Sequence, residues 1–180
     1  MTAYRFTLAQ INALPADRFV EALGGIFEHA PWVAEGAAPG RPFSSIGTLH
    51  DAMCAVVRHA PVERQMTLIR NHPDLAGKAA RAGALTEAST GEQRGAGLDR
   101  LSEAEYERFD RLNTAYRERF AMPFVIAVKG LDKQDILAAM ETRLANDPET
   151  EREAALTQIA RIARFRLADL IDETDPGGSG

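Results

Sequence analysis

Apolar residues recur at intervals of three and four along almost the whole chain, and this spacing constrains the fold more than any other feature. It is the period of an α-helix, in which residues three and four apart share a face. Residues 19–27 and 46–57 show it early in the chain, and residues 136–144 and 155–170 show it near the end. Strands do not alternate with helices, so a parallel sheet is not expected. The pattern predicts an all-α bundle of about seven or eight helices without a substantial sheet.

Capping signals indicate where several helices begin. Thr7 with Gln10, and Ser102 with Glu105, have the spacing of capping boxes, and Asp132 is a further N-cap residue. Each of these residues precedes a segment with helical periodicity. The sequence therefore predicts helices that start just after residues 7, 102 and 132.

Prolines mark further boundaries. Pro61 opens a helix that must end near Asn71, because a proline follows two residues later and the residue before a proline avoids the α conformation. Pro148 begins a long helix that ends near Ile171. Residues 124–128, Phe-Val-Ile-Ala-Val, form the only convincing extended run.

The chain length of 180 residues fits one domain with a full hydrophobic core. We find no linker in the middle of the chain, whereas residues 175–180 have the composition of a disordered end. The expected organisation is one helical domain, residues 1–174, followed by a disordered tail, residues 175–180.

Composition excludes several classes of partner and site. With a net charge of −5 the chain has no basic face for nucleic acid, and no apolar run is long enough to span a membrane. The N-terminus lacks the apolar core of a signal peptide, and the single cysteine, Cys54, fits a reducing compartment, so a cytoplasmic location is expected. His50 lies four residues before Cys54, but the other ligands of a zinc site are not apparent, and no metal site is predicted.

His72 has two interpretations. It follows a predicted helix end and precedes Pro73, so it could bond the free carbonyls of that helix. Alternatively, the proline-restricted backbone is a rigid mount, with Asp74 capping the next helix, and the imidazole transfers protons near neutral pH.

Residues 89–93, Ser-Thr-Gly-Glu-Gln, also allow two interpretations. Ser89 with Glu92 has the spacing of a capping box for a short helix. Alternatively, Gly91 leaves a small face on which the Glu92 carboxylate and the Gln93 amide could grip one edge of a polar heterocycle.

Two polar residues fall on otherwise apolar helical stripes. Arg166 lies among Ile159, Ile162 and Leu170, and it must reach water, a carboxylate partner or an anionic ligand, because an unpaired buried charge is costly. Asn113 lies on an aromatic stripe, where a core residue bonded to a loop backbone is the ordinary interpretation.

Five strings, read together, resemble the 2-oxo-4-hydroxy-4-carboxy-5-ureidoimidazoline (OHCU) decarboxylase family. They lie in order over nearly the whole chain: Phe43 with residues 49–53, residues 71–78, residues 85–98, residues 112–130 and residues 162–170. Any one string is weak evidence, whereas five in register are strong. The resemblance implies an all-helical, cofactor-free and usually dimeric enzyme that performs the last step of urate breakdown to (S)-allantoin, a small-molecule carboxy-lyase.

The resemblance also implies roles for individual residues. His72 is the catalytic acid/base and Glu92 is its catalytic partner. The remaining implied residues bind the substrate; they are Pro73, Ser89, Thr90, Gly91, Gln93, Phe124, Val125, Ile126, Ala127, Val128 and Arg166. Of these, residues 124–128 present backbone groups to the ring, and Arg166 either steers the anion or organises Glu92.

Two other functions compete with this interpretation. A catalytically silent helical interaction module would leave His72, Glu92 and Arg166 apart in space. A metal-dependent hydrolase would use His72 with Asp74, although further ligands are missing from the sequence. The decarboxylase chemistry needs no cofactor, because the electron pair left by CO₂ can be delocalised into the substrate's own C=N and C=O system.

Overall fold

The helical periodicity is realised as ten α-helices in the part of the chain that the structure, a computed structural model, describes: residues 5–173. The helices are α1 (Leu8–Ala13), α2 (Ala16–Leu23), α3 (Pro31–Ala37), α4 (Ile46–His59), α5 (Val62–Arg70), α6 (Lys78–Arg81), α7 (Glu87–Gly95), α8 (Glu103–Phe120), α9 (Lys133–Arg143) and α10 (Pro148–Leu170). Eight of them have seven residues or more, which agrees with the seven or eight expected. The predicted disordered tail, residues 175–180, lies outside the described residues.

The sheet within the described residues is minimal. β1 (Phe6–Thr7) pairs in parallel with β2 (Ile171–Asp172), with Phe6 opposite Ile171 and Thr7 opposite Asp172. Two residues a strand are too few to form a packed layer, so the expectation of an all-α fold without a substantial sheet is confirmed.

The predicted helix starts are confirmed where the signal is local. Both halves of the capping box form at Thr7 with Gln10 and at Ser102 with Glu105. The Asp132 carboxylate accepts the backbone N–H groups of residues 134 and 135 at 2.8 and 2.9 Å. These interactions involve residues within one helical turn, which is why the sequence alone reveals them.

Two predicted caps are wrong. The N-cap of α7 is Thr86, whose side chain accepts the Ser89 N–H at 3.2 Å, so Ser89 and Glu92 lie inside the helix instead of opening it. Asp74 does not cap α6 either, because Gly77 occupies that N-cap position without a side-chain bond. In each case a residue closer to the helix start takes the capping position.

The chain divides into two compact units, and each contains buried apolar side chains. Unit 1 comprises the residues up to Leu68 together with those from Ala160, and unit 2 is Ile69–Ile159. The largest fully buried side chains of unit 1 include Ile11, Phe19, Leu23, Phe27, Ile46, Leu49, Met53 and Leu68. Those of unit 2 include Ile69, Phe109, Tyr116 and Phe124.

Two further findings concern membrane spans and the single cysteine. Among the described residues, no helix is both long enough and apolar enough to cross a membrane. Cys54 is a free, buried cysteine, and burial raises the pKa of its thiol, which opposes formation of a reactive thiolate.

Candidate active site

His72 lies just beyond the end of α5 and is buried, with 6% of its surface exposed. Its backbone N–H donates to the Ile69 carbonyl at 3.1 Å, so hydrogen bonding typical of a helix end continues past Arg70. Pro73 follows and restricts the backbone of His72. The imidazole is therefore mounted on a backbone constrained on both sides.

Side chains of α8 hold the loop that follows His72. The buried amide of Asn113 donates to the Leu75 carbonyl at 2.9 Å, which confirms its interpretation as a core residue bonded to a loop. Arg117 donates from Nε to both carboxylate oxygens of Asp74, at 2.9 and 3.1 Å. The position of this loop is thus set by α8, although α8 lies about 40 residues away along the chain.

A side chain of α7 holds the same loop. The buried amide oxygen of Gln93 accepts the Ala76 N–H at 3.0 Å, and its Nε2 lies 3.4 Å from the Asp74 carbonyl. Ala76 has φ +51°, a left-handed conformation that costs a residue with a Cβ roughly 1–2 kcal/mol. The bond from Ala76 to Gln93 helps to maintain that conformation.

The predicted binding residues of α7 divide between two environments. Ser89 and Gln93 are buried, Glu92 is half-buried, and these three share one face because they are three and four residues apart. Gly91 is exposed, and the Thr90 hydroxyl donates to the N-cap carbonyl of its own helix at 2.9 Å. Glu92 therefore lies in the same helical turn as Gln93, and Gln93 hydrogen-bonds that turn to the loop after His72.

Two cavities are lined in part by residues of this loop or of α7. Pro73 and Asn113 contribute to the lining of one of about 300 Å³, where Lys78 and Arg117 supply positive charge and Asp74 and Asp110 supply negative charge. Thr90 and Gln93 contribute to the lining of another of about 450 Å³. Of the predicted site residues, Pro73, Thr90 and Gln93 thus border space large enough for a small molecule, whereas neither lining includes His72 or Glu92.

Residues 124–128 lie in neither a helix nor a strand, and all but Ile126 are buried. Arg143 donates from Nη1 to the Val125 carbonyl at 2.8 Å, and the Ala127 N–H donates to the side-chain oxygen of Gln158 at 3.1 Å. The extended run is therefore held by side-chain bonds and not by a sheet. The Ala127 N–H is already committed to Gln158.

Arg166 belongs to unit 1, where it forms a buried ion pair. Its Nη1 lies 2.8 Å from Oε2 of Glu28, and the exposed fractions of the two side chains are 8% and 2%. The same nitrogen lies 3.4 and 3.5 Å from the carbonyls of Gly25 and Ile26. The sequence allowed Arg166 to reach water, a carboxylate partner or an anionic ligand, and in the structure it reaches a carboxylate.

The described residues contain no group of three or more His, Cys, Asp or Glu side chains arranged to hold a metal ion. Asp74, which the hydrolase alternative paired with His72, forms an ion pair with Arg117. That carboxylate therefore has a structural partner.

Two buried carboxylates were missed by sequence reasoning. Glu28 stands between Phe27 and His29, just after the apolar run of residues 19–27, and no pattern identified it. Glu151 is fully buried and precedes Ala155 and Ile159 at intervals of four, so it lies on the apolar stripe of α10. The reasoning that identified Arg166 as out of place would have found Glu151 too.

Comparisons with a family model and with known proteins agree on one family. The family model described as OHCU decarboxylase matches residues 12–168. A 2-oxo-4-hydroxy-4-carboxy-5-ureidoimidazoline decarboxylase of Haloferax volcanii is 48% identical over 92% of this chain and 96% of its own length. The uric acid degradation bifunctional protein PucL of Bacillus subtilis is 46% identical over 93% of this chain, but the match covers 33% of that longer protein.

Solved structures agree with the sequence matches. A crystal structure of (S)-allantoin synthase superposes with a TM-score of 0.76 at 32% identity, covering 94% of this chain and 55% of that one. An OHCU decarboxylase crystallised in the presence of (S)-allantoin gives a TM-score of 0.66 at 19% identity, covering 86% and 96%, which speaks for the fold alone.

Proposed function

The chain belongs to the OHCU decarboxylase family, and from this premise we propose that it converts OHCU to (S)-allantoin in urate degradation, with His72 and Glu92 as the catalytic pair. The observation that carries the proposal is the attachment of α7 to the loop after His72. Gln93, the residue after Glu92, bonds both the Ala76 N–H and the Asp74 carbonyl. Support for the pairing is that His72 and Glu92 belong to a loop and a helix that Gln93 bonds to each other, and general acid–base catalysis needs such groups close together.

The reaction can be written with its electrons balanced. The bond from C4 of the ring to the carboxylate breaks and CO₂ leaves. Its electron pair forms a C4=C5 double bond, while the C5=N pair moves onto the ring nitrogen, which takes up a proton. The resulting enol then gains a proton at C5 and loses its hydroxyl proton, which yields the carbonyl of allantoin. The protein has to orient the carboxylate, hold the ring and deliver a proton to one face.

The proposed division of labour follows from the chemistry of each group. His72 delivers the proton, and Glu92 orients the imidazole and stabilises its charged form. Backbone groups of residues 124–128, and the α7 face formed by residues 89–93, hold the urea-like edges of the ring. Pro73 borders the ligand, and the Arg166 guanidinium serves the carboxylate of the substrate, which is the group that forked donors bind best.

We also propose that the enzyme works in the cytoplasm as a homodimer. The unpaired thiol of Cys54 supports a reducing compartment. The homodimer rests on the resemblance to the family. Light scattering on the purified chain is expected to give twice the monomer mass of 19.6 kDa, and a mass equal to the monomer would contradict it.

The decisive test is stereochemical, because OHCU decays unaided to racemic allantoin. Urate is converted by a urate oxidase and a 5-hydroxyisourate hydrolase, and the mixture is followed by circular dichroism. Adding this protein should speed the loss of the OHCU signal and leave the lasting optical activity of (S)-allantoin. Racemic product at an unchanged rate would refute the decarboxylase function.

The same assay tests the proton donor. His72→Asn is expected to lower turnover by about 10²–10⁴-fold, the usual contribution of a positioned acid or base, while far-UV dichroism shows retained helices. The matched control is His59→Asn, since His59 is also a helix-end histidine but is exposed and bonds only the Ala55 carbonyl of its own helix. Near-normal turnover in His72→Asn would remove His72 from the mechanism.

A further inference from the structure

A buried polar cluster of unit 2 has no part in the function proposed above. We call it the Glu151 cluster: Tyr116, Arg143, Asn146 and Glu151. The fully buried Glu151 carboxylate accepts hydrogen bonds from the Tyr116 hydroxyl, from Nε and Nη2 of Arg143 at about 3 Å, and from Asn146 at 2.9 Å. Three elements, α8, α9 and α10, thus converge on one carboxylate.

Two members of the Glu151 cluster contact the segment proposed to bind the ring. Arg143 uses its remaining nitrogen, Nη1, to donate to the Val125 carbonyl at 2.8 Å. Its guanidinium also lies 4.4 Å from the centre of the Phe124 ring, and the Tyr116 ring meets Phe124 edge-on at 5.3 Å. The cluster therefore fixes both a side chain and a carbonyl of residues 124–128.

α10, the helix that carries Glu151, also bonds residues 124–128 through a second side chain. Gln158 lies seven residues after Glu151, which places the two side chains on one face of α10. Its side-chain oxygen accepts the Ala127 N–H at 3.1 Å. The backbone is thus held at the Val125 carbonyl and at the Ala127 nitrogen, and the half-buried Ile126 lies between the two holds.

Stability alone is a poor explanation for this arrangement. Moving a carboxylate and a guanidinium out of water costs free energy, and the attraction between the two groups often does no more than offset that cost. Apolar residues of similar volume would therefore stabilise such a core as well. What an apolar core cannot do is bind one carbonyl and one N–H of an irregular segment in fixed directions. Forked donors of arginine and a side-chain amide do this.

We infer that Arg143, oriented by Glu151, and Gln158 are positioning residues that set the peptide groups of residues 124–128 against the ring of the substrate. This inference rests on the proposed function of that segment. The two residues act through the backbone that they hold and not by touching the ring. Their loss should therefore weaken ligand binding and leave proton transfer by His72 unchanged.

The test compares variants at one position of α10. Gln158→Met removes the acceptor for the Ala127 N–H and keeps length and helix propensity, whereas Gln158→Glu keeps an acceptor oxygen. Thr157→Ala, at the exposed neighbouring position, is the matched control. The Kd of (S)-allantoin and the KM for OHCU should each rise about tenfold in Gln158→Met, as expected when one hydrogen bond is lost and its partner stays buried. Both should stay within about twofold of the wild type in Gln158→Glu and in the control.

The readouts separate positioning from a merely structural role. The kcat of Gln158→Met and its pH profile should match those of the wild type, because the acid/base pair is untouched. Arg143→Lys keeps the charge beside Glu151 but lacks the forked donors with which Arg143 bonds Glu151 and Val125 at the same time. It should therefore raise KM in the same way. Unchanged KM and Kd in both variants, with only a lower Tm, would overturn the inference. A wild-type protein that fails to convert OHCU would instead refute the proposed function, and the positioning role for that substrate with it.

Discussion

Gln93 and Glu92 are adjacent residues of α7 with different relations to the loop after His72. Gln93 uses its amide to bond the backbone at residues 74 and 76. The sequence predicts that the Gln93 amide binds the substrate ring. That role remains a proposal, in which the second hydrogen of Nε2 would bond the ring. The carboxylate of Glu92 belongs to the same turn, so its distance from the loop depends on Gln93.

Replacing Glu92 tests the catalytic carboxylate directly. Glu92→Gln keeps shape and removes charge, and we expect kcat to fall by about 10²–10⁴-fold, since acid–base and orientation effects are of that size. Glu87→Gln is the control, because Glu87 is an exposed glutamate in the first turn of the same helix. A loss of only a few-fold in Glu92→Gln would leave the residue as an ordinary member of α7.

Arg166 carries a second prediction at this scale, because it is paired with a buried glutamate. Arg166→Ala removes the guanidinium that pairs with the buried Glu28 carboxylate, and the loss of one partner from a buried ion pair typically costs about 3–5 kcal/mol of stability. Arg166→Lys keeps the charge, so its Tm should lie well above that of Arg166→Ala. If the guanidinium also binds the substrate carboxylate, Arg166→Lys should recover stability but little activity. Full activity in both variants would reduce Arg166 to a structural partner of Glu28.

At the scale of elements, the Glu151 cluster joins α8, α9 and α10 through one ionised group. Burial alone would raise the pKa of Glu151, but hydrogen bonds from Arg143, Tyr116 and Asn146 outweigh burial and lower the pKa below its usual 4.5. A carboxyl group whose pKa is lowered by folding contributes stability above its unfolded pKa. That stability is lost as the pH falls through the folded-state value.

The pH dependence of unfolding follows from this direction. The free energy of unfolding should be highest well above the usual glutamate pKa of 4.5 and should decrease as the pH falls below that value towards the lower pKa of Glu151 in the folded state. In Glu151→Gln the overall stability should be lower and this acid-dependent part smaller. Urea unfolding at pH 7 and pH 4 measures both quantities, and an equal loss of stability on acidification in the two proteins would contradict the assignment.

Elements whose signals are local could be predicted, and those fixed by distant contacts could not. The caps at Thr7, Ser102 and Asp132 depend on residues within one turn, and the sequence identified them. The cap at Ser89 was wrong because Thr86 competes for the same role, and sequence spacing does not rank the two. The bond between Gln93 and Ala76 joins residues 17 apart through the fold, and no periodicity encodes it.

At the scale of the whole molecule, the candidate site is predictable as a set of residues but not as a set of contacts. His72, Glu92 and residues 124–128 were identified through their resemblance to a family, and all of them fall in unit 2. Arg166 falls in unit 1 together with its partner Glu28. Of the side chains that hold these groups in place, Glu151 shows in the primary structure only as a carboxylate on an apolar helical stripe, and Gln158 carries no signature at all.

We expect the activity of the whole chain to be independent of metal ions. The proposed reaction delocalises its electron pair into the substrate, so exhaustive dialysis against a chelator should leave kcat unchanged. Elemental analysis of the active protein should find less than stoichiometric zinc and iron. Activity that disappears on dialysis and returns with an added divalent metal would overturn the proposed mechanism.

The pairing of β1 with β2 has a consequence for engineering. Because Phe6 lies opposite Ile171, and neighbouring strands are about 4.8 Å apart, residues 5 and 173 should be separated by only about 11 Å. A linker of about five residues spans that gap, since each residue reaches about 3.3 Å. The chain is therefore suited to circular permutation, with new ends opened at the exposed Gly83 between α6 and α7. Such a permutant would reverse the order in which the two halves of the candidate site leave the ribosome, while every contact described above could still form.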